Sequence, residues 1–103
     1  MKLTLEQVIE KGAWEELFIH VEFKELRRDE KIIVLFRTLQ NHEKHLDVVY
    51  FEMVREDHPG VQEMLLRFRK IKQMRQYLSA CLSWKGKGEP EGAPKEISEL
   101  LKE

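Results

Sequence analysis

The chain of 103 residues contains one cysteine, Cys81. A disulfide bond requires two sulfur atoms, and zinc sites built from several thiolates require at least two as well. An internal disulfide framework and a multi-thiolate zinc site are therefore excluded. This use of cysteine is typical of a reducing compartment, so we expect a cytoplasmic protein.

The sequence also lacks a long apolar run. Its longest one, Ile32 to Phe36, has five residues, whereas a helix that spans a bilayer needs roughly 20. The first acidic residue, Glu6, comes too early for a secretory signal. With 42% apolar and 36% charged residues, the chain has the composition of one soluble folded domain, and we expect no membrane partner.

Glycine and proline are few and unevenly placed. Three of the five glycines and two of the three prolines lie in residues 85–94, and such a segment cannot bury a core face. We therefore predict a helical domain at residues 1–84, a flexible linker at residues 85–94 and a short amphipathic C-terminal segment at residues 95–103. That segment reaches either its own bundle or a neighbouring subunit.

The N-terminal residues carry the signals of a short helix. Thr4 and Gln7 have the spacing of a capping box, and Gly12 is suited to a left-handed C-terminal cap. The pattern predicts a helix from Leu5 to just before Gly12. Residues 13–26 mix helical spacing with alternation, and we interpret them as a second helix.

A three-four apolar repeat runs without a break from residue 29 to residue 55. Its members are Ile32, Leu35, Leu39, His42, Leu46, Val49 and Met53. Pro59 and Gly60 then mark a turn, and a second apolar stripe continues to about Ser83. The patterns predict an all-α protein, a small helical bundle built on a long antiparallel helical hairpin.

An α+β fold is the alternative. Residues 18–26, 32–39 and 46–54 are rich in Val, Ile, Phe and Tyr, as expected of a three-stranded antiparallel meander between two helices. However, the segments that would form its turns, residues 27–31 and 40–45, contain neither glycine nor proline. The helical interpretation is therefore preferred.

Two polar residues interrupt the apolar stripes. Folding the hairpin about residues 57–59 places His42 near Met74 and Arg75. We predict a polar layer of His42 and Arg75 that fixes helix register or oligomeric state, with a carboxylate such as Glu43 compensating the arginine. Alternatively, Arg75 extends to solvent and His42 lies at the rim.

The sequence has few clusters of residues that could bind a metal ion or catalyse a reaction. His42 and His45, with Glu43 and Asp47, resemble metal ligands, but a site would need further ligands from another helix, and the two long helices lack the Glu-x-x-His spacing of di-iron bundles. The chain has no recognisable nucleophile and no glycine-rich phosphate loop. We therefore expect no metal, cofactor, small-molecule substrate or enzymatic activity.

Net charge is −1 overall, but residues 61–88 carry +6 between two acidic segments. This asymmetry favours, as the alternative function, a nucleic-acid-binding or nucleoprotein-assembly subunit that uses residues 61–88. Against it, the basic residues scatter around their helix rather than forming one stripe. The candidate nucleic-acid contacts are Arg67, Arg69, Lys70, Lys72, Lys85 and Lys87.

Several apolar residues lie off the main stripes, and a two-helix hairpin cannot cover them by itself. We therefore predict a non-enzymatic protein–protein interaction, regulatory or adaptor module. Its partner is a protein, either a second copy in a homodimer formed through the long helices or a helix seated in a groove. The candidate interaction surface comprises Phe51, Leu66, Tyr77, Ile97, Leu100 and Leu101.

Overall fold

The computed structural model describes residues 3–102, and this part of the chain is helical and contains no strand. The helical prediction is confirmed, and the alternative meander is wrong. In chain order the elements are α1 (Leu5–Lys11), a 3₁₀ helix (Trp14–Phe18), α2 (Val21–Lys24), α3 (Arg28–Arg55), α4 (Val61–Ser83) and α5 (Lys95–Leu101).

Helix α1 begins and ends where its sequence signals predict. The Thr4 hydroxyl accepts a hydrogen bond from the backbone N–H of Gln7 at 3.2 Å, and the Gln7 side chain accepts one from the backbone N–H of Thr4 at 2.9 Å. At the other end Gly12 has a φ of +67°, and its N–H donates to the Ile9 carbonyl. Reciprocal capping and a left-handed glycine therefore define this short helix.

The prediction of one helix over residues 13–26 is wrong. The structure has the 3₁₀ helix and α2 there, separated by Ile19 and His20. Leu17 and Phe23 are both buried, although six positions along a continuous α-helix would set them about 120° apart. The break lets both side chains enter the core and leaves Ile19 exposed.

Helices α3 and α4 form the predicted antiparallel hairpin. Its buried seam consists of Leu35, Leu39 and Leu46 on α3 and Ile71, Met74 and Leu78 on α4. The apolar repeat continues to Met53, but Val49 is exposed. The core therefore ends at Leu46, and both helices continue beyond it.

The remaining elements form a second layer on one face of the hairpin. The Asn41 side-chain amide donates to the Ile9 carbonyl at 2.7 Å and holds α1 on α3. Lys31, 3% exposed, places its ammonium 5.9 Å from the centre of the Phe23 ring. The molecule measures 45 × 37 × 19 Å, and its smallest dimension corresponds to two layers of helices.

The C-terminal segment completes the core of its own chain. Ile97, Leu100 and Leu101 are all buried, which corrects their assignment to a partner surface. A guanidinium nitrogen of Arg28 donates to the Leu101 carbonyl at 3.0 Å. The Tyr77 hydroxyl donates to the Pro90 carbonyl at 2.9 Å, so contacts with both long helices hold the linker and the tail.

Gly12→Ala should destabilise the fold by about 2–4 kcal/mol, because it combines a left-handed backbone with a steric overlap. A Cβ atom at Gly12 would lie 2.5 Å from the His42 backbone nitrogen. Gly88→Ala is the matched control, because its φ is +71° but nothing lies within 4 Å. It should cost about 1 kcal/mol. Urea unfolding measures both, and equal losses would contradict the close-approach argument.

Ile97→Ala should lower the free energy of unfolding by about 2–5 kcal/mol, because it leaves a cavity among buried side chains. Its neighbour Ser98 is exposed, so Ser98→Ala should change stability by no more than about 0.5 kcal/mol. Chemical denaturation gives the energies, and light scattering checks the mass of each variant. If Ile97→Ala left the free energy of unfolding unchanged but altered the mass of the assembly in solution, the tail would instead belong to an interaction surface.

Candidate interaction surface

The outer half of the hairpin, residues 47–70, contains no fully buried residue. We call this segment the tip. It is nevertheless rich in large apolar side chains: Val48, Val49, Tyr50, Phe51, Met53, Val54, Val61, Met64, Leu65, Leu66 and Phe68. Phe51 is 68% exposed and Leu66 is 65% exposed. Exposed apolar clusters of this kind mark surfaces that bind other molecules.

A groove between α3 and α4 leads to the tip. It has a volume of about 410 Å³, and its lining residues are Gln40, Glu43, Lys44, Asp47, Phe68, Lys72 and Arg75. On α3, Phe51 and Val54 follow Asp47 at helical spacing, and on α4, Leu65 and Val61 precede Phe68 at helical spacing. We call the groove residues and these four apolar residues the open face.

The second layer lies on the opposite side of the hairpin. Asn41 and His42 on α3 contact α1, while Lys70 on α4 pairs with Glu96 and Tyr77 holds Pro90. None of these four α3 and α4 residues belongs to the open face. Among residues 3–102, the second layer therefore leaves the open face bare.

The open face carries one internal ion pair and several free charges. The Arg75 guanidinium donates to the Glu43 carboxylate, and the two side chains are only 24% and 19% exposed. This pair supplies the carboxylate that the sequence analysis requires for Arg75. By contrast, Asp47 and Lys72 form no ion pair with any residue in the described part of the chain.

The structure does not bring His42 and Arg75 together as a polar layer. His42 approaches Gly12, whereas Arg75 reaches Glu43 on the open face. Because consecutive residues point about 100° apart on a helix, His42 and Glu43 serve different sides of the hairpin. His42 therefore faces the second layer, whereas the Glu43–Arg75 pair joins the two long helices on the open face.

The other candidate surface residues lie in different environments. Phe51 belongs to the open face, whereas Leu66 precedes Phe68 by two positions and points about 160° away from it. Tyr77 is partly buried, and its burial raises the pKa of its hydroxyl to about 12, so the hydroxyl stays a hydrogen-bond donor. Of the predicted surface residues, only Phe51 lies on the open face.

The candidate nucleic-acid contacts are all exposed. Lys70 is engaged by Glu96 from α5, and Lys72 lines the groove of the open face. Lys85 and Lys87 follow the last residue of α4 and are far from the tip. These cations do not form one continuous stripe, and nucleic-acid binding stays a prediction.

Within the described residues, the other histidine, cysteine and acidic side chains form no recognisable catalytic or metal site. No group of three histidine, cysteine or acidic residues is placed to hold a metal ion within residues 3–102. A second cleft, of about 590 Å³, lies beside Ile19 and His20. His20 donates through Nε2 to the Leu3 carbonyl at 2.9 Å, and its Nδ1 is buried without a partner in the described chain.

No described helix is both long and apolar enough to cross a membrane. No protein-family model matches the chain, and neither a curated protein nor a solved structure is significantly similar to it.

His42 should make stability depend on pH. Burial lowers the pKa of His42, and the positive charges of His45 and Arg67 act in the same direction, against the hydrogen bond to Gly12 and the charge of Glu15. As the pH falls below the ordinary value of 6.5, the unfolded chain binds the proton first. Stability is therefore present above that value and is lost as the pH falls through the folded pKa.

We expect His42→Gln to remove this loss. Urea unfolding between about pH 7.5 and 5.5 should show a smaller decrease in stability for the variant than for the unchanged protein. Parallel stability curves for the two proteins would show that His42 does not contribute to the pH dependence.

Proposed function

We propose that the protein is a non-enzymatic interaction module that self-associates through the open face of its helical hairpin. The observation that carries this proposal is a bare groove that continues into exposed apolar side chains, on helices that extend beyond their own core. The extension adds little to the core of a monomer, because residues 47–70 contain no fully buried side chain.

The exposed surface area supports the proposal. The chain exposes 7477 Å², whereas a folded monomer of 12.4 kDa exposes about 6,100 Å². The excess, about 1,400 Å², is larger than the roughly 800 Å² that each partner buries in a standard interface. The protein therefore has enough spare surface for one stable interface.

The open face also has the composition of an interface. Phe51 and Phe68 provide aromatic side chains at its centre, and charged residues such as Asp47 and Lys72 lie around them. Aromatic residues supply much of the binding energy in protein interfaces, and a polar rim sets their specificity. Two open faces packed together would form a four-helix bundle, with both second layers on the outside.

Phe51→Ser should weaken self-association at least about tenfold, because truncating a central aromatic side chain removes a main source of binding energy. Leu66→Ser is the matched control: Leu66 is equally exposed but lies off the open face. Sedimentation equilibrium over a wide concentration range measures the dissociation constants. Circular dichroism checks that both variants remain folded.

Two results would contradict the proposal. The first is that the unchanged protein remains a monomer throughout the concentration range. The second is that Leu66→Ser weakens the dimer while Phe51→Ser does not. A monomer that binds nucleic acid, with an affinity that falls steeply as salt is added, would favour the alternative function.

A further inference from the structure

The charges on the open face are divided between its two helices. The α3 side carries Glu43 and Asp47 against a single cation, Lys44, while the α4 side carries Lys72 and Arg75 and no anion. Glu43 and Arg75 already neutralise each other within the chain. Among the groove residues, Lys44 and Asp47 on α3 and Lys72 on α4 therefore remain available to a partner.

The register of the hairpin places these two charges at nearly the same height. Glu43 lies beside Arg75, and the Tyr50 ring centre is 6.0 Å from the Phe68 ring centre. Both pairs give the same register: each residue further toward the C-terminus of α3 lies beside a residue one position closer to the N-terminus of α4. Asp47 therefore lies at the level of Ile71, only about 1.5 Å along the axis from Lys72.

Two open faces can meet around either of two symmetry axes. A two-fold axis parallel to the helices puts α3 of one copy beside α4 of the other, at the same level. A two-fold axis perpendicular to the helices and lying between the faces puts α3 on α3 and α4 on α4. Electrostatic complementarity favours the first arrangement, because the second sets basic α4 against basic α4.

We infer that the partner is a second copy related by a two-fold axis parallel to the helices of the hairpin. This inference rests on the proposed self-association. In this dimer Asp47 pairs with Lys72 of the second copy, and the reciprocal pair forms across the axis. Phe51 lies between the levels of Leu65 and Phe68 of the second copy, so the apolar centres meet. The second layers lie on the outer faces and do not obstruct this contact.

Charge reversal tests the arrangement. Asp47→Lys alone and Lys72→Asp alone each create two like-charge contacts in the symmetric dimer, and each should weaken it on the order of tenfold. An equimolar mixture of the two variants should form a heterodimer of restored affinity, because both of its contacts then join opposite charges. The double variant Asp47→Lys/Lys72→Asp should also dimerise as the unchanged protein does.

Glu52→Lys is the matched control, because it makes the same charge change on α3 but points about 140° away from Asp47. Sedimentation equilibrium at low salt measures all five proteins and the mixture, and circular dichroism verifies folding. The expected result is that the control dimerises normally and each single reversal does not.

The outcomes separate this inference from the proposed function. If the unchanged protein dimerises but both single reversals match the Glu52→Lys control, the inferred arrangement is wrong and self-association stands. The same holds if the double variant stays weakened, because Asp47 and Lys72 would then not contact each other across the interface. If the unchanged protein is monomeric at every concentration, self-association itself fails.

Discussion

The fold depends on the close approach of the end of α1 to the middle of α3. Gly12 lies so near the His42 backbone that a side chain does not fit, and Asn41 binds the last turn of α1 through the Ile9 carbonyl. Because a helix of seven residues is not stable alone in water, α1 exists through this contact. The 3₁₀ helix begins two residues beyond this contact, at Trp14, and its Leu17 is buried in the core.

The elements with strong local signals could be predicted from the sequence. The Thr4–Gln7 capping box, Gly12 and the turn at Pro59 and Gly60 each act within a few residues, and the three-four repeat defines α3 directly. Residues 13–26 could not be predicted in the same way. Their break depends on Leu17 and Phe23 reaching one core from different directions, which periodicity within the segment does not encode.

The surface was harder to predict than the fold. Sequence spacing predicted that Phe51 lies off the core, and it is exposed. Spacing could not show that the tail covers its own hairpin, because the Arg28–Leu101 contact joins residues 73 positions apart. Buried Lys31 and Thr38 were also missed. The Thr38 hydroxyl donates a hydrogen bond to the Val34 carbonyl of its own helix at 2.7 Å. The aliphatic part of the Lys31 side chain packs in the core.

The two-layer arrangement separates the residues that hold the chain together from those that face outward on the hairpin. Apart from Phe68, which packs against the core, the side chains of the open face lie outside it, whereas Gly12, Ile97 and Leu101 on the other side tolerate little change. Mutations can therefore accumulate on the groove without unfolding the protein. Such an arrangement allows binding preference to diverge in evolution on a constant scaffold, and it makes the hairpin a suitable starting point for engineered specificity.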